Sequence, residues 1–147
     1  MSALLRALAE REWTYTVADG GGAVVWSVSG EGATYRVAAI VDERQEQLAC
    51  YVICPNKVPS ERRLAASEVL TRANYGLRLG NFEMDFDDGE VRFKTSVDVE
   101  GGELTPLMVH TMLAAGLGTV ERYYGALMRV VYGGAPPADA VREAEGR

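Results

Sequence analysis

The stretch Asn81-Phe82-Glu83-Met84-Asp85-Phe86-Asp87-Asp88-Gly89-Glu90-Val91-Arg92-Phe93-Lys94-Thr95-Ser96-Val97-Asp98-Val99 decides the fold. Phe82, Met84 and Phe86 alternate with Glu83 and Asp85. Beyond the turn, Val91, Phe93, Thr95, Val97 and Val99 alternate with Arg92, Lys94, Ser96 and Asp98. A period of two marks strands with one face in a core and one in water. Asp88-Gly89 is a pair favoured in a two-residue type I′ turn. Such a turn pairs Phe86 with Val91 and Met84 with Phe93 on the core face. It sets Asp85 opposite Arg92 and Glu83 opposite Lys94 on the wet face. A slip of one residue buries the charges, so the register is well specified.

Upstream, three further strands read at about 23–29, 33–42 and 47–54, separated by Gly30-Glu31-Gly32 and by the polar run 42–46. A two-residue Glu31-Gly32 turn sets Val24, Trp26 and Val28 against Ala39, Val37 and Tyr35. An even-length second turn brings Leu48, Cys50 and Val52 to the same core face. The reverse face carries Val25, Ala38, Ile40, Tyr51 and Ile53, diluted only by Ser27 and Arg36. A solvated face is normally more polar than that. These five residues are therefore the candidate interface, for a second copy of the chain or for another protein, unless the N-terminal helix or the tail folds over them.

Helical periodicity appears three times. Residues 2–12 carry Leu4, Leu5 and Leu8 on one face behind a Ser2 cap. Pro59-Ser60 opens a second helix with the stripe Ala66, Val69, Leu70, Ala73, ended at Asn74-Tyr75-Gly76. Thr105-Pro106 caps a last helix with the stripe Val109, Leu113, Gly116, Leu117, Val120, Tyr124, Leu127, Met128, Val131. Gly116 and Gly118 in that helix either admit close backbone packing or mark a bend. The predicted class is α+β: helix, three strands, helix, two strands, helix, in an antiparallel five-stranded sheet with helices packed on one face. After Tyr132, the run Gly133-Gly134-Ala135-Pro136-Pro137 leads to a C-terminal tail at 133–147, read as flexible or as a short helix.

Composition narrows the function classes. The 147 residues carry 15 Lys+Arg against 21 Asp+Glu, a net charge of −6, and 48% hydrophobic residues. That hydrophobic share is globular rather than disordered, and an acidic chain argues against nucleic-acid binding, which needs a basic field. Arg6 and Glu10 interrupt the N-terminal leucines, so no signal peptide is read. No apolar run approaches the roughly 18 residues of a membrane span. Cys50 and Cys54 lie on one strand, roughly 13 Å apart, too far for a disulfide. Two unpaired thiols suit a reducing cytoplasm.

The segment from Asn74-Tyr75-Gly76 through Gly80-Asn81-Phe82-Glu83-Met84-Asp85 to Asp88-Gly89-Glu90-Val91-Arg92-Phe93 resembles the YbjN domain family, bacterial proteins labelled sensory transduction regulators. The resemblance extends from Trp13 to about Val131, with the aromatic pair Tyr123-Tyr124 in the last helix. It implies one YbjN-like domain over 1–132 and the type III secretion chaperone-like fold. Chaperones of that fold bind partner proteins as dimers and do no chemistry.

The residues themselves offer no catalytic constellation. Glu83, Asp85, Asp87, Asp88 and Glu90 lack the ligand spacing of a calcium loop and have cationic partners across the hairpin. His110 is the only histidine and has no nucleophile motif beside it. Gly20-Gly21-Gly22 and Gly30-Glu31-Gly32 lack the Lys-Ser/Thr of a phosphate loop and open no helix. No cofactor or metal is expected. The leading reading is a non-enzymatic protein-binding adaptor or chaperone-like regulator, for which the resemblance implies bacterial signal transduction or stress response. The alternative is an enzyme or small-ligand sensor with a pocket between the sheet and the last helix.

Overall fold

Alternating strands and amphipathic helices bury their apolar sides against each other, leaving the second side of the sheet without a covering layer. The structure is a computed structural model and describes residues 1–18 and 20–147. The chain runs α1 (Ser2–Glu10), β1 (Thr16–Val17), β2 (Ala23–Ser29), β3 (Thr34–Asp42), β4 (Gln47–Ile53), α2 (Arg63–Asn74), β5 (Asn81–Met84), β6 (Val91–Asp98), α3 (Pro106–Val131) and α4 (Pro137–Ala144), with a 3₁₀ turn at Ser60–Arg62. The strands lie in the order β1-β2-β3-β4-β6-β5, all antiparallel. The sheet has six strands where five were expected. Thr16-Val17, read as an extended piece, pairs with Val25 and Val24. Two residues are too short for periodicity; the ladder offered by β2 makes them a strand.

The meander follows its expected register. Val24, Trp26 and Val28 face Ala39, Val37 and Tyr35, and Val37, Ala39 and Val41 face Val52, Cys50 and Leu48. The Gly30 N–H donates to the Ala33 carbonyl at 2.8 Å and closes the two-residue turn. That turn is pinned from the helix layer: the Glu31 and Gly32 N–H groups donate to Glu121 Oε2 at 2.9 and 3.2 Å. The Tyr35 hydroxyl lies against the same carboxylate, and with the two amides it holds Glu121 below the usual carboxylate range.

The hairpin differs from its expected register by two residues. Phe82 pairs with Phe93, Glu83 with Arg92 and Met84 with Val91, and a last cross-strand bond runs from the Asp85 N–H to the Glu90 carbonyl at 3.0 Å. Phe86–Gly89 is a four-residue loop, closed by the Gly89 N–H on the Asp85 carbonyl at 2.7 Å, rather than an Asp88-Gly89 type I′ turn. Two carboxylates end the ladder early: Asp85 Oδ1 accepts the Asp87 N–H and Asp88 Oδ1 accepts the Glu90 N–H, both at 2.8 Å. The loop is also tied to the segment before α2. Val58 N–H donates to the Gly89 carbonyl at 2.8 Å, and Arg63 donates to the Phe86 carbonyl at 2.7 Å. Phe86 is consequently half in water, at 51% exposure, and not in the core. An even shift keeps every other residue on its expected face.

This register carries a stability prediction. Met84 packs partly buried beside Val91, so Met84→Asp is expected to cost about 2–3 kcal/mol by placing a carboxylate at the core edge. Asp85→Asn keeps an oxygen that accepts the Asp87 N–H and should move the melting temperature by less than about 2 °C. Thermal melts of the two variants provide the check.

α2 buries Ala66, Val69, Leu70 and Ala73, as its spacing predicts, whereas α1 buries Ala3, Leu4, Ala7 and Leu8, leaves Leu5 only partly buried, and begins at Ser2 without a side-chain cap. Gly76, just beyond α2, takes a left-handed φ of +88°. Thr105 caps α3 by accepting the Met108 N–H, with Pro106 at the first helical position. α3 is continuous through Gly116-Leu117-Gly118. Gly116 serves close packing instead of a bend, since a Cβ there would sit 3.1 Å from the Val52 side chain.

The α3 stripe rotates along its length. Its first half buries Val109, Leu113, Gly116 and Val120 as expected, but its second half buries Tyr123, Ala126 and Val130 where Tyr124 and Met128 were expected. The cause is the tail, whose residues 137–144 form α4 and pack on α2 and α3 with Ala140 and Val141 buried. Tyr123 donates its hydroxyl to Glu145 at 2.8 Å, tying the two helices together.

Candidate functional site

Because neighbouring strands keep side chains of one parity together, the outer face of the sheet is laid out in rows. Val25, Ala38, Tyr51, Lys94 and Asn81 form one row. Ser27, Arg36, Ile53, Arg92 and Glu83 form the row on one side of it; Ala23, Ile40, Ala49 and Ser96 form the row on the other. Asp42, Gln47 and Asp98 close the far end. The five residues expected at an interface are thus contiguous. Val25, Ala38, Tyr51 and Ile53 are partly screened by each other and by neighbouring side chains, and Ile40 is 47% exposed.

The helices pack elsewhere. α1 lies along α3, and α3 lies on β4 and β6 from the core side. α2 and α4 are stacked with α3. Neither the N-terminal helix nor the tail folds over the outer face.

The face is held rigid by a charge cluster at one corner. The Arg92 guanidinium stacks 4.4 Å over the Tyr51 ring and donates to Glu83 Oε2 at 2.8 Å, while Lys94 reaches Glu83 Oε1 at 2.5 Å. Partial burial alone would raise the Glu83 carboxyl, but the hydrogen bonds from Lys94 and Arg92 outweigh it and hold the group below its ordinary range. A depressed carboxyl stabilises the fold above its unfolded-state value, and this contribution is lost as the pH falls through the folded-state value. The cluster therefore supports the face at neutral pH. The expected Asp85–Arg92 and Glu83–Lys94 cross-strand pairs become a three-residue cluster on Glu83, with Asp85 beside the loop.

Two features of the edges went unread in the sequence. Asn74, at the end of α2, accepts the Phe82 N–H at 2.6 Å and donates to the Phe82 carbonyl at 3.1 Å. Its amide thus occupies the outward hydrogen-bonding pair of edge strand β5 and blocks pairing with another strand there. On the opposite edge, β1 covers only Val24 and Val25 of β2.

Other candidates for chemistry are accounted for structurally. Among the described residues, no group of His, Cys, Asp and Glu is arranged to hold a metal. His110 Nε2 lies 2.6 Å from Glu10 and links α3 to α1. Cys50 and Cys54 are free and buried, and burial pushes both thiols up to about 12, so neither offers a thiolate at neutral pH. Between the sheet and α3, Val52, Phe93, Leu113, Gly116 and Val120 fill the centre, while an open hollow of about 500 Å³ lies at the edge between the β2–β3 turn and α3, lined by Glu31, Gly32, Glu121, Tyr124, Gly125 and Met128. Among the described residues, no helix is long and apolar enough to cross a membrane.

Comparison with known proteins gives the same architecture. A chain of the ExsC–ExsE complex covers 83% of this chain and 91% of its own length, with a TM-score of 0.51 and 18% identity. The crystal structure of YbjN from E. coli covers 81% of this chain and 84% of its own, with a TM-score of 0.58 and 11% identity. A chain of the HopA1–SchA chaperone–effector complex covers 80% and 86%, with a TM-score of 0.49 and 15% identity. No curated protein matches the chain. The fold is thus α+β of the type III secretion chaperone-like kind. Residues 2–129 match the model of the YbjN family, described as "Putative bacterial sensory transduction regulator". This chain belongs to the YbjN family.

Proposed function

We propose that this protein is a non-enzymatic, chaperone-like regulator that works in the bacterial cytoplasm by binding protein, with the outer face of its sheet as the docking surface. The observation that carries this reading is the uncovered apolar row Val25, Ala38, Tyr51 with Ile40 and Ile53 beside it, on a domain whose helices all lie on the other side. Contiguous apolar patches rimmed by polar residues mark interaction sites. The filled centre of the sheet–α3 interface and the unavailable thiols argue against an enzyme or a small-ligand sensor enclosed there. A solved structure of similar fold, the ExsC–ExsE complex, is a complex of two partners, which fits the same reading.

The test compares the tagged wild-type chain with an Ile40→Glu, Ile53→Glu double variant in pull-downs from the native cell, followed by titration calorimetry with each purified captured protein. Both side chains face outward, so the variant should keep a cooperative melt and lose the captured partner. Equal binding of purified partners by wild type and folded variant would move the docking site elsewhere. Absence of any purified partner that rebinds the wild type would overturn the reading.

A further inference from the structure

We infer that the groove between α2 and α3 is a second protein-docking surface, held in this structure by α4 as a displaceable occupant, and that the partner segment it admits is an acidic amphipathic helix with small apolar residues on one face. This surface lies on the helix layer, away from the outer face of the sheet, so it stands or falls apart from the docking proposed there. α4 follows α3 after the short run Tyr132–Pro136 and lies beyond residues 2–129, the stretch that matches the family.

The surface under α4 is apolar and spaced for a helix. Tyr123, Ala126 and Val130 recur on α3 at intervals of three and four residues and are buried, and α2 forms the other wall. Into this groove α4 presents Ala140 and Val141, both buried, with Ala144 partly buried beside them. The rim supplies cations and donors from α3. Arg129 pairs with Glu143, the Tyr123 hydroxyl donates to Glu145 at 2.8 Å, and Arg122 donates to the Ala144 carbonyl at 3.3 Å. What the groove recognises is therefore written in its present occupant: small side chains on one face and carboxylates on the flank.

α4 fills the groove without a strong hold. An isolated helix of eight residues is not stable in water, so α4 is helical only while docked. Burying one valine, one alanine and the floor beneath them roughly offsets the conformational entropy lost in ordering those eight residues. Arg129 and Glu143 are both half-exposed, and an exposed ion pair adds little. Docked and undocked α4 therefore exchange, with the short tether favouring the docked state as a local concentration in the millimolar range. Undocking uncovers Tyr123, Ala126 and Val130. A partner helix of the same chemistry, three or more turns long, buries more surface than α4 and displaces it.

The test combines hydrogen exchange of the full chain with an NMR titration of its ¹⁵N-labelled form by a synthetic peptide of residues 135–147. In the wild type, the Val141–Ala144 amides should exchange at least about 100-fold faster than those of Leu113 and Val120 in α3. Ala140→Glu puts a carboxylate at a fully buried position, so it should release α4 while the domain keeps a cooperative melt. The peptide should bind this variant with a dissociation constant of about 1 mM, shifting the signals of Tyr123, Ala126 and Val130, and bind the wild type at least about tenfold more weakly. A peptide carrying Glu143→Lys and Glu145→Lys should bind the variant about threefold more weakly or worse. The Ile40→Glu, Ile53→Glu chain should match the wild type in every one of these measurements. Val141–Ala144 exchange as slow as that of α3, equal peptide binding by wild type and Ala140→Glu, or a folded Ala140→Glu chain that ignores the peptide overturns the inference. Unchanged binding of the lysine peptide overturns the acidic partner. Should Ala140→Glu fail to fold, Val141→Ala decides: it should speed Val141–Ala144 exchange about tenfold and leave α3 unchanged, and equal effects on both helices overturn the inference.

Discussion

Replacing Gly89 by alanine is expected to cost about 4 kcal/mol or more, enough to lower the melting temperature by roughly 10 °C or to prevent folding. Two effects add. Gly89 has φ +80°, a left-handed conformation that disfavours any Cβ by roughly 1–2 kcal/mol. The larger effect is contact: a Cβ there would overlap the Val58 carbonyl oxygen and lie 2.9 Å from the Val58 nitrogen. Those are backbone atoms, and the Val58 N–H is itself bonded to the Gly89 carbonyl at 2.8 Å, so the neighbour cannot retreat without breaking that bond. Gly76→Ala is the control. Its φ of +88° brings the same conformational penalty, but no atom lies within 4 Å of the added Cβ. The control should lose only about 1–2 kcal/mol. Similar melts for the two variants would mean that the Gly89–Val58 contact is not as close as the structure has it.

Phe93→Ala should be almost as damaging, at about 3–5 kcal/mol. Phe93 is fully buried, meets the Phe82 ring edge-to-face at 4.9 Å between centroids, and lies under Gly116 of α3. Truncation leaves a cavity between the sheet and a helix about 39 Å long, whose backbone cannot collapse locally into the gap. Phe86→Ala tests the same register from the other side. The alternating pattern places Phe86 in the core, whereas the structure leaves it 51% exposed in the loop. Its truncation should change the melting temperature by no more than about 2 °C. A large loss at Phe86 as well as at Phe93 would restore the tight-turn register.

The difference between those two phenylalanines shows why parity was legible and pairing was not. Alternation along 81–99 assigns each residue to a face by a period of two, and that holds under any even shift. Which residues sit opposite each other depends on where the ladder stops. Here it stops at the Asp85–Glu90 bond because the Asp85 and Asp88 side chains bond nearby backbone and because Val58 and Arg63 hold the loop from outside. The meander had no such competitor: Glu121 supports the two-residue Glu31-Gly32 turn instead of displacing it, and the register follows that turn.

The residues by themselves determined the α+β class, the antiparallel meander, the inward stripe of α2, the capped start of α3, and which side chains share the outer face. All of these follow from periodicity and local capping, which act within one element or between adjacent ones. Tertiary structure alone decided that β1 joins the sheet and that α3 turns Tyr123 and Val130 inward under α4. It also decided that Asn74 seals the β5 edge and that no helix crosses to the outer face. Each of these depends on contacts between segments far apart in the chain, whose free energy comes from packing and hydrogen bonding that no local pattern encodes.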